Sequence, residues 1–461
     1  MGDIVAFLKI NRKEAGCRPI LERINDFGEV EQTLSVEDRM MQASRCMDCG
    51  VPFCHWSCPL GNLIPEWQDL LYKNKWQEAY NLLNFTNNFP EFTGRICPSF
   101  CEKSCILNLE NQPLTIRENE AAITEYAFSN GYVVPRLPLY HVGKKVAVIG
   151  SGPAGLTVAS VLNQKGYSIT VYEKDECIGG LLSLGIPDFK LNKEIVERRV
   201  SILKIEGIKF ETNVEVGKDI TIEKILFEYD AICLALGAVT PRDLLIDGRE
   251  LVGIHFALDF LKQQNRIVGG KIINSSDRIS ANGKNVLIIG GGDTGSDCVG
   301  TSIRQKAKKV TQIEILSMPS ENISIETYWP AYPNMLKTSS SHEEGCERRW
   351  SLKSKKFIGD GGRVVAVEVV EVEWLKDEFG SFIMKETNKK EIIPAELVLL
   401  SMGFIQPDSK KLLNNLVTMR NVKENMYKVF YAGDVVNGSS LVVHAINSGN
   451  EVAKSISDFL K

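Results

Sequence analysis

Residues 145–173 read KVAVIGSGPAGLTVASVLNQKGYSITVYE, and the rest of the chain is best understood outward from them. Val146 to Ile149 is a short apolar run of buried-strand type. Gly150, Gly152 and Gly155 supply a G-x-G-x-x-G spacing, and from Pro153 and Ala154 to Lys165 the apolar residues recur with helical period. A second strand, Ser168 to Tyr172, ends at Glu173. Each residue type has a reason to be there. Gly150 permits the tight turn, Gly152 lets backbone approach a pyrophosphate, and Gly155 lets helix lie close on strand. The helix start offers free N–H groups to phosphate, and Glu173 stands where an acid accepts from ribose hydroxyls. The stretch therefore predicts a βαβ dinucleotide-binding unit.

The fingerprint recurs. Asn285 to Ile289 leads into Gly290, Gly291, Gly292, Asp293, Thr294 and Gly295, a helical segment runs to about Lys306, and the strand Lys309 to Leu316 carries Glu314 at nearly the offset of Glu173. Two such loops imply two dinucleotides close enough to react, such as a flavin and a nicotinamide. An acid at the strand end favours NADH, and SMPSEN, which follows, lacks the arginine usual for a 2′-phosphate. Arg304, Lys306, Lys308 and Lys309 read as a solvated face. After the first unit, Gly179, Gly180 and Leu181 allow close approach to a ligand, and the apolar strand AICLALGA ends at Gly237. Near the C-terminus a buried-type strand, Val429 to Ala432, precedes the turn Gly433-Asp434 and a helix from Leu441. This is an arrangement suited to a ribityl or phosphate oxygen.

Of 461 residues 24% are charged and the net charge is -4, an unexceptional balance that argues against nucleic acid as a partner. The apolar runs are too short for a membrane span, and the opening residues do not resemble a signal peptide. Met1-Gly2 is followed by Ala6, where myristoylation needs Ser or Thr. A cytoplasmic protein is expected. Seven of twelve cysteines fall between Cys46 and Cys105, a crowding that favours metal ligation over disulfides. RCMDCGVPFCHWSCPLG spaces Cys46, Cys49, Cys54 and Cys58 as C-x2-C-x4-C-x3-C-P, and GRICPSFCEKSC supplies Cys97, Cys101 and Cys105. Two [4Fe-4S] clusters need eight ligands; so do two zinc ions, with His55 as the eighth. Residues 65–83 place Trp67, Leu70, Leu71, Trp76, Ala79, Tyr80 and Leu83 at near-helical spacing, which predicts a small helical domain around these cysteines. Glu120 reads by pattern as a solvated helix residue. The segment 131–143 reads as a linker, and HEEGCERRW (342–350) has no role legible in its pattern.

The motifs RCMDCGVPFCHWSCPLGN, NNFPEFTGRICP, IGSGPAGL, PRDLLIDGRELVGIHFALDFL, IGGGDTGSDCVGTSIRQ and YAGDVV closely resemble the small, or β, subunit of NAD(P)H-dependent glutamate synthase, over nearly the whole chain. The resemblance implies an α/β protein: an N-terminal helical iron-sulfur domain (1–141), then two Rossmann-like domains, the second inserted into the first. FAD would bind 142–245 with 403–461, and NADH or NADPH would bind 246–402. It further implies that Cys46, Cys49, Cys54 and Cys105 hold one [4Fe-4S] cluster and that Cys58, Cys97 and Cys101 hold another, with Glu120 near the eighth position. The FAD contacts implied are Gly150, Gly152, Gly155, Glu173, Gly433 and Asp434, and the nicotinamide loop is Gly292, Asp293, Thr294 and Gly295. The partner would be the large (α) subunit, which makes L-glutamate from L-glutamine and 2-oxoglutarate. The alternative is a free-standing NAD(P)H:acceptor oxidoreductase of ferredoxin type. Two features depart from many relatives: Asn450 stands where they carry arginine, and Glu314-Ile315-Leu316 stands where NADPH-using members have Tyr-Arg-Arg. No acid or base catalyst is expected, because the chain's part is to position carriers.

Overall fold

The structure, a computed structural model, describes residues 3, 5–238, 240–319, 329–330, 336–378, 380–405 and 426–461. The end of the SMPSEN segment and the Met1-Gly2 start lie outside the described residues.

The N-terminal region is helical, as the apolar stripe predicts. The stripe from 65 to 83 is two helices, Ile64–Tyr72 and Trp76–Thr86, because Asn74 adopts a left-handed turn between them (φ 59°). The first buries Ile64, Trp67 and Leu71, and the second buries Trp76, Ala79, Tyr80 and Leu83. Both lie against Ile116–Ser129, which contributes Ile116, Ile123 and Ala127 to the same core. Helix Pro90–Ile96 packs closely on Ile116–Ser129, where a Cβ on Gly94 would lie 2.8 Å from Ala121 N, and also reaches the next domain. Phe89 and Phe92 belong to the core of the next domain, and burying each stabilises that junction by up to about 3 kcal/mol. Arg199 and Glu91 form a buried ion pair across the same junction.

The first sheet begins with β1 (Lys145–Ile149), β2 (Ser168–Glu173), β3 (Lys209–Thr212) and β4 (Ala231–Leu234). β1 and β4 are buried on both faces, which is why they read as continuous apolar runs rather than alternating ones. The chain then leaves through β5 (Thr240–Pro241) and builds a second parallel sheet. This contains β6 (Ile254–Phe256), β7 (Asn285–Ile289), β8 (Lys309–Ile313) and β9 (Glu347–Arg349), followed by the antiparallel ribbon β10 (Leu352–Asp360), β11 (Arg363–Lys376) and β12 (Phe382–Pro394), and β13 (Leu397–Leu400). It returns through β14 (Phe404–Ile405), which pairs antiparallel with β5, so the outgoing and incoming segments are joined at the crossing. β15 (Val429–Tyr431) then completes the first sheet.

The strand orders are β15-β4-β1-β2-β3 and β6-β13-β7-β8-β9, parallel throughout, with the β10-β11-β12 ribbon packed beside the second. The fold is thus a helical domain followed by two doubly wound nucleotide-binding sheets, one inserted into the other. Helix Val442–Phe459 packs on the fingerprint helix Pro153–Gln164, and Gly449 permits this: a Cβ there would lie 2.6 Å from Thr157 Cβ.

The HEEGCERRW loop acquires a place. The Glu344 side chain is fully buried between Arg23, from the N-terminal region, and Arg304, at the end of the second fingerprint helix, and the Arg304 guanidinium lies 4.0 Å from the Phe189 ring centre. Arg304 is therefore not on a solvated face, because helix Asp293–Arg304 ends at the junction of the domains rather than in solvent.

Candidate functional site

The two fingerprints are built alike. Gly150 (φ 102°) and Gly290 (φ 121°) both need a conformation open to glycine, and a Cβ on either would meet a strand carbonyl, Ala235 O or Ser401 O, at 2.3 Å. A Cβ on Gly155 would lie 2.0 Å from Gly150 O, and one on Gly295 2.5 Å from Gly290 O. These contacts set the distance of each helix from its strand. Helices Pro153–Gln164 and Asp293–Arg304 start at Gly152 and Gly292 with no side-chain cap, which leaves their first N–H groups for an anion.

The strand-end acids also match. Glu173 accepts through Oε2 from Ser151 N (3.0 Å) and Ser151 Oγ (2.6 Å), and through Oε1 from Asp175 N (3.0 Å). Glu314 accepts through Oε2 from Gly291 N (2.6 Å), and through Oε1 from Ile315 N (2.8 Å) and Leu316 N (3.2 Å). Each carboxylate is held against the loop that a nucleotide would cross.

One cleft of about 1750 Å³ gathers most of the sequence-derived nucleotide-contact residues. Gly150, Gly152, Pro153, Ala154, Glu173, Gly180, Leu181, Gly237 and Asp434 border it from the first nucleotide domain, and Asp293 borders it from the second. Gly290, Gly292, Thr294, Gly295 and Glu314 are not on its walls; they form the second loop, which meets the cleft at Asp293. Asp434 accepts from Ser440 Oγ at 2.5 Å, burial raises its carboxyl above the usual range, and the uncapped helix start at Val442 borders the same space. Gly433 donates its N–H to Ser448 Oγ (2.9 Å), which fixes the turn.

Sequence reasoning missed three elements here. Lys190, from the first nucleotide domain, is paired with Asp297, from the second, on the cleft wall. Gln312 donates from Nε2 to Gly290 O (2.8 Å), and its Oε1 accepts from His342 Nε2 (2.8 Å), whose ring is pushed by burial to a pKa of about 4. Ser151 ties Glu173 to Gly179, whose N–H it accepts at 3.0 Å. None of these pairings is legible in the sequence, because each joins residues far apart in the chain.

The seven clustered cysteines divide by neighbourhood. Cys46, Cys49, Cys54 and Cys105 line one small apolar cavity with Pro52, Phe53 and Leu107. Cys58, Cys97 and Cys101 act electrostatically on one another and on Glu120. Burial pushes the Cys46 and Cys97 thiols up to about 12, so thiolates there require positive charge nearby. Backbone N–H groups already face several of the sulfurs: Asp48 toward Cys46, Ser99 toward Cys97, Leu60 and Asn62 toward Cys58, and Leu107 and Leu114 toward Cys105. Asp48 and Ser99 sit two residues past their cysteines and both have positive φ (48° and 60°). Buried thiols with convergent amides suit an iron-sulfur cluster, whose potential such hydrogen bonds tune.

Glu120 is buried, contrary to its pattern. Asn87 Nδ2 (3.2 Å) and Thr93 Oγ1 both donate to its Oε1, and burial raises its carboxyl to about 7. His55 Nε2 is instead 2.8 Å from Gly61 O. Among the described residues no three His, Cys, Asp or Glu side chains are grouped to hold a single metal ion. Cys97 also borders the large cleft, whereas none of Cys46, Cys49, Cys54 and Cys105 does. No helix among the described residues is long and apolar enough to cross a membrane.

Comparison with known proteins finds two family models. Residues 23–132 match the family model described as dihydropyrimidine dehydrogenase domain II, 4Fe-4S cluster, and residues 144–449 match pyridine nucleotide-disulphide oxidoreductase. The chain is 44% identical to the glutamate synthase [NADPH] small chain of Mycobacterium tuberculosis, covering 100% of this chain and 96% of that one. It is 40% identical to the corresponding Bacillus subtilis chain, covering 100% and 99%. The Saccharomyces cerevisiae glutamate synthase [NADH] is 40% identical, with 98% of this chain matching 22% of that protein. Among solved structures, Mycobacterium tuberculosis FprA in complex with NADPH shares the fold, with a TM-score of 0.54 at 17% identity over 69% of this chain and 84% of that one.

Proposed function

Since the chain belongs to the glutamate synthase small-chain family, and is thus an NAD(P)H-dependent oxidoreductase, we propose that it is the electron-input chain of such an enzyme. It oxidises NAD(P)H beside FAD and delivers electrons through two [4Fe-4S] clusters to a large chain that makes L-glutamate from L-glutamine and 2-oxoglutarate, in the cytoplasm. FAD, when bound, converts a two-electron hydride into single electrons that the clusters can carry.

The chain's own residues hold and orient. Gly152 and the helix start at Pro153 hold the flavin pyrophosphate, Glu173 its adenosine ribose, and Asp434 with the Val442 helix start the distal end. Gly292, Asp293, Thr294 and Gly295 hold the nicotinamide dinucleotide. The Lys190–Asp297 pair spans the two nucleotide domains on the wall of the cleft where the two ligands meet, and so sets their approach. Cys58, Cys97, Cys101 and Glu120 hold the cluster nearer the cleft, and Cys46, Cys49, Cys54 and Cys105 hold the farther one. Residues 1–141 form the cluster domain, 142–245 with 403–461 the FAD domain, and 246–402 the nicotinamide domain.

The observation that carries this reading is one cleft bordered at once by the first fingerprint, by Asp293 of the second and by Cys97. The test is anaerobic reduction of a Cys46→Ser variant in complex with a large chain. Iron and acid-labile sulfide should fall by about half, since one of two clusters is lost. Flavin bleaching by the nicotinamide should persist, and transfer to the large chain should stop. A Cys46→Ser protein that passes electrons as fast as its parent sinks the proposal.

A further inference from the structure

We propose that Glu314 makes the second nucleotide site selective for a dinucleotide whose adenosine ribose carries a free 2′-hydroxyl, NADH, over its 2′-phosphorylated counterpart. This rests on reading 285–316 as the nicotinamide loop.

The argument begins with the internal copy. In the first loop Glu173 receives the N–H of the residue after the first glycine, Ser151, and in the second Glu314 receives the N–H of Gly291. The first site is read as that of FAD, whose adenosine ribose has a free 2′-hydroxyl. The second site presents the same group at the same place. The acceptor count leaves room for a ribose. Oε1 of Glu314 takes two backbone donors and Oε2 takes one, so one lone pair of Oε2 remains for a ribose hydroxyl to donate into. A 2′-phosphate at that position would bring a second anion against the carboxylate, with no proton to donate.

Among the described residues, the nearby cations are engaged elsewhere or lie away from Glu314. From Ser317 to Leu336 the sequence contains no Lys or Arg. On the neighbouring strand β9, Arg349 is committed to Glu391 through two hydrogen bonds of 2.8 and 2.5 Å, and Arg348 lies over the Trp350 ring at 5.0 Å. Lys308 and Lys309 stand at the amino end of β8, the far end from Glu314, and Lys309 pairs with Glu347 at 2.6 Å. Lys337 borders the interdomain cleft, which Glu314 does not. Relatives of this chain carry both coenzymes in their names, NADPH in the bacterial small chains and NADH in the yeast protein, so the family alone does not decide the matter.

The test uses fragments that cannot react. ADP-ribose and 2′-phospho-ADP-ribose are titrated into the FAD-loaded chain by calorimetry. The native protein should bind ADP-ribose at least about 100-fold more tightly, and Glu314→Gln, which keeps the shape and removes the charge, should reduce the ratio to about tenfold or less. Equal or tighter binding of the phosphorylated fragment to the native protein would overturn the proposal while leaving the nucleotide site intact. Binding of neither fragment would remove the nicotinamide reading of this loop, and the proposal with it.

Discussion

Replacing Glu344 with alanine should cost more stability than any single surface ion pair could. Its side chain is fully buried, as is that of Arg304, and Arg23 is only 3% exposed. Glu344 Oε1 accepts from Arg23 Nε at 2.8 Å and from Arg304 Nη2 at 3.1 Å. Removing the carboxylate leaves two guanidinium groups out of water with their shared counter-charge gone. Breaking a buried pair costs about 3–5 kcal/mol. With a denaturant slope of about 3 kcal/mol per M in urea for a domain of this size, the first unfolding transition should move down by about 1–2 M. Arg23 can fall back on Glu343, 3.2 Å away, so the orphan is mainly Arg304. The double variant Glu344→Gln with Arg304→Met should therefore recover much of the loss, because it removes the stranded charge as well. A Glu344→Ala transition within about 0.3 M of the parent, or a double variant no better than the single one, would refute the reasoning. The first result would mean that solvent reaches the pair; the second would mean that the arginine is not the strained partner.

Gly155→Ala should abolish FAD retention and cost at least about 3 kcal/mol, because its Cβ meets the Gly150 carbonyl oxygen at 2.0 Å and backbone cannot yield cheaply; flavin content after purification reads it directly. His342 has a folded-state pKa of about 4, below the usual histidine value near 6.5. The unfolded chain thus binds more protons between about pH 6.5 and 4, and stability should fall as pH drops through that window. Unfolding at pH 7 and pH 4.5, with His342→Gln as the variant that loses this component, checks the sign. Lys190→Met strands Asp297 on the cleft wall and should slow flavin reduction roughly tenfold or more while iron content stays unchanged. An unaltered rate in rapid mixing would show that the pair does not set the approach of the two ligands.

Local pattern carried the fold a long way. Each βαβ fingerprint is specified within about thirty residues by strand, glycines, helix and acid, so residues 145–173 and 285–316 announced both nucleotide domains, and the period of apolar residues announced the helical one. Cysteine crowding announced a metal-sulfur site. What spacing could not say was which cysteines share a neighbourhood, since Cys105 joins Cys46, Cys49 and Cys54 from far along the chain while Cys58, next to Cys54 in the motif, turns to Cys97 and Cys101. Nor could it see that Glu120, polar by pattern, is buried beside thiols, that Glu344 is a clasp rather than a surface charge, or that Lys190 meets Asp297. The physical reason is the same in each case. A turn, a helix period or a buried strand is settled by neighbours in sequence, whereas the burial and pairing of a charged side chain are settled by whatever distant segment packs over it.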